Sequence, residues 1–315
     1  MSKRTPKNLP ASIQQRLING ARARGEDANF ALQRYAAERF LYRLGESAHR
    51  EHFVLKGATL FALWGGSLYR PTRDLDFTGY GSSEPNAVLD RFREICAVVV
   101  VEDGVVFEAA TLRTEPIREE TDYGGVRFLF EARLGAARVQ MQVDVGFGNA
   151  IEPPAEDVEY PRLMDAPSPN VRAYPQEAVV AEKFHAMVVL GERNTRLKDF
   201  YDLHVLARNF PFDGDRIARA IKATFARRRT PIEVSLPVAL APRFFTDGQR
   251  GQQWRAYLTR NSLPGALADF GAVGELLQSF LQPVWSALAA NEDFLGLWPQ
   301  SGPWTMGTNE PEGVR

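Results

Sequence analysis

Asp74 and Asp76 stand two positions apart, with Leu75 and Phe77 interleaved. Residues i and i+2 of a β-strand point to the same face. The spacing therefore predicts both carboxylates on one side of a strand and the apolar pair on the other. Two acids held this close repel each other unless a cation lies between them, and hard carboxylate oxygens suit Mg²⁺ or Mn²⁺. Upstream, Phe53-Val54-Leu55 reads as a short buried strand running into Lys56-Gly57-Ala58-Thr59. Gly57 lets the backbone turn and approach a ligand closely. Thr59 offers a hydroxyl at the start of a helix expected to end at Gly65-Gly66, and a small-residue turn into a helix N-terminus favours an anion. An anion cradle one short helix from an acid pair supplies the parts that hold a nucleoside triphosphate and its metal. Lys56 at the turn, with Arg70 and Thr72 just ahead of the acids, are further candidates for phosphate contacts.

The elements around this stretch must position it. Residues Ser12 to Leu44 read as helical, with Ser12 as N-cap and Gly25 as a break. Ile13, Leu17 and Ile18 form a first apolar stripe; Phe30, Tyr35, Phe40, Leu41 and Leu44 belong to a second helix. Arg16, Arg22, Arg24, Arg34, Arg39 and Arg43 read as a solvated basic face. Pro85 to Ala97 is a helix with Val88, Leu89, Phe92 and Ile95 inward. Val98–Val101 and Val105–Ile117 are strand candidates, and Gly124-Gly125 is a turn. Val126 to Leu134 and Ala137 to Phe147 alternate around Gly135-Ala136, a hairpin signature. Its second strand puts Val139, Met141, Val143 and Val145 on one face and Gln140, Gln142 and Asp144 on the other. Asp144 is either a surface residue or, if the hairpin lies beside the Asp74–Asp76 strand, a third acid at that site.

Residues 152–175 are rich in Pro and Asp and mark a domain boundary. The helix expected from Gln176 to Leu190 places Lys183 in line with Val179, Met187 and Leu190. That lysine is either a snorkelling stem at the rim of the core or a compact charge aimed at phosphates. Leu197 to Asn209 is a helix with Asp199 and Asp202 on one face, which taken alone reads as a solvated charge face. Asp213 to Thr230 carries Arg216, Arg219, Lys222, Arg227, Arg228 and Arg229, six basic residues in fourteen positions with no acid after Asp215. Such a run either is a solvated helix end or neutralises nucleic-acid phosphates. Phe244, Phe245, Trp254, Tyr257 and Leu258 read as packing residues, and Leu267 to Leu288 as a further helix.

The chain has 315 residues and a net charge of −1, so its overall charge implies no polyanionic partner. One cysteine, Cys96, excludes an intrachain disulfide and fits a reducing cytoplasm. No apolar run reaches the roughly 18 residues of a membrane span, the first ten residues lack the apolar segment of a secretory signal, and no zinc-spaced Cys/His cluster occurs.

The glycine turn followed by an Asp-x-Asp strand resembles the DNA polymerase β-like nucleotidyltransferases. Four segments narrow the likeness: Phe53 to Gly57, Arg70 to Phe77, Ala181-Glu182-Lys183-Phe184, and Leu197-Lys198-Asp199-Phe200-Tyr201-Asp202-Leu203. Together they resemble the AbiEii/AbiGii toxin family. The family's turn carries two glycines, and here the second is Ala58. The resemblance implies an α+β fold: a mixed sheet flanked by helices, followed by a mainly helical C-terminal domain. The expected division is N-terminal helices over residues 1–50, a nucleotidyltransferase core over 51–165, a helical domain completing the site over 166–298, and a disordered tail over 299–315. It implies Asp74, Asp76 and Asp144 as metal ligands, with Lys56, Gly57, Thr59, Arg70, Thr72 and Lys183 at the triphosphate. Asp199 would orient Lys183 or a substrate hydroxyl. The implied activity is metal-dependent transfer of a nucleotide from NTP, by the toxin of a toxin–antitoxin pair with its cognate antitoxin protein. The expected acceptor is the 3′ end of tRNA, with the Arg216–Arg229 segment as RNA surface. Alternatives are a protein acceptor, a catalytically silent nucleotide- or RNA-binding module, and a small-molecule transferase, which would need an acidic acceptor pocket.

Overall fold

A computed structural model describes residues 8–66, 68–117 and 125–306; Gly124 of the expected turn and residues 307–315 of the expected tail lie outside them. The chain divides into two compact units, Met1–Asn149 with Ala155–Tyr174, and Ala150–Pro154 with Pro175–Arg315.

The first unit opens with helices α1 (Leu9–Ala23) and α2 (Ala28–Glu46). Asn8, not Ser12, caps α1, its side chain accepting from the Ala11 N–H at 3.1 Å. Pro10 explains the earlier start, because proline is preorganised for the first helical turn. Gly25 separates the helices at φ 68°. The first unit continues with β1 (Phe53–Lys56), α3 (Leu60–Gly65), β2 (Asp74–Gly79), α4 (Pro85–Ala97), β3 (Val105–Ile117), β4 (Gly125–Leu134), β5 (Ala137–Phe147), β6 (Glu156–Glu159) and β7 (Asn170–Ala173). Among the described residues these strands form one mixed sheet, ordered β3-β4-β5-β2-β1-β7-β6. β2 runs parallel to β5 and β1 parallel to β7, while the other neighbours are antiparallel.

Helix α2 packs on β5 and β7 and α4 on β3, burying a phenylalanine cluster. Phe92 stacks on Phe128 with centroids 4.0 Å apart, and Phe40 meets Phe92, Phe107 and Phe130. Leu75, Phe77, Val143 and Val145 fill the same core, at 1% exposure or less. Cys96, on α4, is buried here, and burial pushes its thiol up to about 12.

Further expectations need correction. Val98–Val101 is not a strand: Val99 is 95% exposed in the connection to β3, since β-branched residues favour a strand only where a neighbouring strand can pack them. The basic face of the N-terminal helices is not wholly solvated. Arg43 is buried and bonds both oxygens of Asp103 at 2.7 and 3.1 Å, and Arg39 is buried against Glu38. Buried guanidinium groups persist because these carboxylates compensate them. Residues 166–174, read from the sequence with the second part of the chain, lie in the first unit, where β7 pairs with β1.

The second unit comprises α5 (Gln176–Leu190), α6 (Leu197–Asn209), β8 (Phe212–Asp213), α7 (Gly214–Arg227), α8 (Pro242–Thr246), α9 (Gly248–Arg260), α10 (Phe270–Ala290), β9 (Gly296–Trp298) and β10 (Thr305–Met306). Phe184, Phe225 and Trp285 meet in one aromatic cluster, and Phe200, Phe244, Phe245 and Phe270 in another. Residues 299–306 are not a disordered tail. Trp304 stacks on Phe280 and donates its indole N–H to the Phe280 carbonyl at 2.9 Å, and β10 pairs with β9. A single large aromatic with a satisfied N–H anchors a segment that is otherwise polar. Among the described residues, no helix is long and apolar enough to cross a membrane.

Candidate active site

A row of charged residues crosses the middle of the sheet in the first unit. Lys56 on β1 lies opposite Asp76 on β2, Asp76 opposite Asp144 on β5, and Asp144 opposite Arg127 on β4. Directly opposed residues share a face. The four side chains therefore stand in line on the face away from Leu75, Phe77 and Val143, as cation, acid, acid, cation. Asp74 joins them from two positions before Asp76. One carboxylate oxygen each from Asp74, Asp76 and Asp144 lies within 4.8 Å of the others, and all three residues are half-buried. The parallel pairing of β2 with β5 is what brings Asp144 to the pair.

Three hard oxygens converging at this spacing fit a divalent cation. The backbone beside them is shaped accordingly. Gly57 has φ 79°, and a Cβ there would collide with the Asp76 carboxylate. Any other residue would bring both backbone strain and a steric conflict at the acids. Thr72 donates its hydroxyl to Asp74 Oδ1 at 2.8 Å and fixes that carboxylate. The Thr59 hydroxyl, expected to face a ligand, is buried and donates to the Asp74 carbonyl at 3.3 Å, tying the glycine turn to the start of β2. Arg70 reaches the Pro71 carbonyl at 3.4 Å.

Sequence reasoning missed Arg127. Its Nε and Nη2 donate to the two oxygens of Asp144, each at 2.8 Å. This fork is the strong geometry for a carboxylate, and it holds the guanidinium pKa above its usual value. The signal was present in the hairpin: counting equally back from the Gly135-Ala136 turn sets Arg127 against Asp144.

The second unit holds a different cluster. From α5, Lys183 Nζ lies 3.0 Å from Asp199 Oδ1 and 2.7 Å from Asp202 Oδ2, both on α6. Arg196 Nε is 2.8 Å from Asp199 Oδ2. Asp199 is 1% exposed and Asp202 fully buried, so this face of α6 is not solvated. Its carboxylates tolerate burial because the Lys183 ammonium lies between them.

The basic segment also differs from expectation, because acids distant in sequence pair with it. Arg216 meets Glu177 at 2.6 Å, Arg219 meets Asp215 and Glu152, and Arg228 lies 4.0 Å from Glu182. Lys222, Arg227 and Arg229 are exposed. His185 on α5 is buried and contacts the Thr230 hydroxyl at 2.8 Å. Burial first, then the Arg228 charge, lowers its pKa to about 4.

Comparison with known proteins gives one family and a group of solved structures. The family model described as nucleotidyl transferase AbiEii toxin, type IV toxin–antitoxin system, matches residues 39–276. A candidate nucleotidyltransferase from Helicobacter pylori is 16% identical with a TM-score of 0.48, the match covering 83% of this chain and 97% of that one. JHP933 from Helicobacter pylori is 15% identical with a TM-score of 0.48, over 83% of this chain and 94% of that one. No curated protein matches the chain.

Proposed function

This chain belongs to the AbiEii nucleotidyl transferase toxin family, and from that premise we propose that it transfers a nucleoside monophosphate from NTP to the 3′ end of tRNA, releasing pyrophosphate. The observation that carries the reading is the convergence of Asp74, Asp76 and Asp144 on one point of the sheet. Mg²⁺ or Mn²⁺ held by these oxygens would supply charge neutralisation of the transferring phosphoryl group and alignment of its attacking and leaving oxygens. Asp144, oriented by Arg127, also accepts the proton of the acceptor hydroxyl. Gly57 gives the triphosphate close access to the backbone, and Lys56, Arg70 and Thr72 line its approach. Modified tRNA no longer supports translation, and a cognate antitoxin protein restrains the enzyme in the cytoplasm.

The test is incubation with each labelled NTP, Mg²⁺ and total cell RNA or protein. Label in tRNA supports the reading, and label in protein alone overturns the acceptor while keeping the chemistry. A protein acceptor is the second reading, favoured by the acids that pair with Arg216, Arg219 and Arg228 on the helix expected to bind RNA.

A further inference from the structure

A cleft of about 80 Å³ in the first unit opens beside Asp74 and Thr72. Its walls come from α2, from the segment before β2, and from residues 160–163. These walls are tied together. Gln33 on α2 donates to the Arg73 carbonyl at 3.1 Å, Glu38 on α2 accepts from the Leu163 N–H at 2.6 Å, and the Tyr160 hydroxyl reaches the Thr59 carbonyl at 3.4 Å.

Three arginines line this cleft: Arg34, Arg73 and Arg162. Among the described residues, none has a carboxylate within ion-pair distance. Arg34 lies over the Phe30 ring at 5.9 Å, and Arg162 reaches only the Ala166 carbonyl at 3.4 Å. The contrast with α7 is direct, since Arg216, Arg219 and Arg228 each have an acid beside them. The one acid on the cleft wall besides Asp74 is Glu38, which is bonded by Arg39 and the Leu163 N–H and also lies in the field of Arg34. The field in the cleft is therefore positive next to a carboxylate of the acid triad. The cleft has room for a phosphate group.

We propose that this cleft binds a backbone phosphate of the RNA acceptor and so sets its 3′ end at the acid triad. The assignment rests on the nucleotidyl-transfer reading above and moves the acceptor surface from α7 to α2 and the two segments facing it. Guanidinium groups fit phosphate oxygens in a fork, and three of them on separate segments grip one strand without reading its bases.

The test measures RNA and nucleotide binding separately. A labelled single-stranded RNA of twelve nucleotides with a free 3′ hydroxyl is titrated with protein at several salt concentrations, and a fluorescent NTP analogue is titrated in Mg²⁺. The variants are Arg34→Gln, Arg73→Gln and Arg162→Gln, singly and together, with Arg73→Lys as the charge-retaining control and thermal melts as the fold check. The triple variant is expected to bind RNA at least about tenfold more weakly and to lose about 0.7 units of salt slope, the value for one phosphate contact on a single strand. Nucleotide affinity should stay within twofold, and Arg73→Lys, which keeps the charge but not the fork, should keep the wild-type salt slope while binding RNA more weakly than wild type. Loss of nucleotide binding with RNA binding intact would assign the cleft to the triphosphate and overturn the proposal. No change in either would overturn it as well. If wild type labels protein and ignores RNA, the proposal fails while nucleotidyl transfer stands. If no acceptor is labelled but the RNA slope still depends on the three arginines, the cleft assignment stands and the transfer reading fails.

Discussion

The two carboxylate clusters are built from the same residue types and behave oppositely. In the first unit, three half-buried acids converge across two parallel strands. In the second, two buried acids on one helix close on the ammonium of Lys183. The buried cluster completes its own charge, as an ionic group in a low-dielectric interior must. The sheet cluster is spaced for a multivalent ion, and it is open enough for one to enter. Asp144 links the two logics: Arg127 already satisfies it, yet a carboxylate has lone pairs enough to accept a bidentate arginine and still offer a ligand atom.

The sharpest way to break this comparison is to remove acids from each side. Asp74→Ala or Asp76→Ala should reduce nucleotide incorporation roughly a thousandfold or more, the consequence of losing several kcal/mol of charge stabilisation. The melting temperature of either variant should stay level or rise, because like charges no longer repel. Full activity in either one refutes the site. In the second unit the balance reverses. Lys183→Ala removes the ammonium that Asp199 and Asp202 share, and breaking such a buried ion pair costs on the order of 3–5 kcal/mol, so the melting temperature should fall. A variant as stable as wild type would mean that the buried cluster does not hold the unit together.

Arg127 sharpens the middle ground. Arg127→Gln should cost about 10- to 100-fold in activity or metal affinity, the usual range for a group that orients a ligand. Direct Mn²⁺ titration separates the two effects. Arg127→Lys, which keeps charge but not the fork, should fall between, and equal behaviour of both variants would remove orientation as the cause.

The smallest expected effect is in pH dependence. His185 titrates near 4 in the folded protein against about 6.5 when unfolded. Below about 6.5 the unfolded chain binds a proton that the folded chain refuses. Stability is therefore fully present above that pH and declines as pH falls toward 4. His185→Gln should flatten the melting-temperature profile between pH 6.5 and 4 relative to wild type, and superimposed profiles would count against a buried neutral imidazole.

Much of the first unit was legible because its signals are local. The Asp-x-Asp alternation, the glycine turn and the hairpin around Gly135-Ala136 each fix their own geometry. The α+β fold followed from these and from the family likeness. What escaped was long-range. Strands β6 and β7 are four residues each in a proline-rich segment; β7 pairs with the edge that β1 offers, and β6 pairs with β7. Asp199 and Asp202 looked solvated because nothing on α6 announces that Lys183 covers them. The arginines of α7 looked unopposed because Glu152, Glu177 and Glu182 are far away in sequence. Trp304 was overlooked because one aromatic among polar residues carries no periodicity. Charge read along a chain gives supply, and only the fold decides pairing.

Cys96 turns the helix layer over the sheet into its own reporter. A thiol buried under α4 and held protonated up to about 12 barely reacts with alkylating reagents while the layer is closed, since the thiolate is the nucleophile. Because the chain has one cysteine, the rate at which native protein becomes labelled is a clock for the opening of a single known place. Run with and without Mg²⁺ and NTP, that clock would register ligand binding as slower opening of a core the ligand never touches.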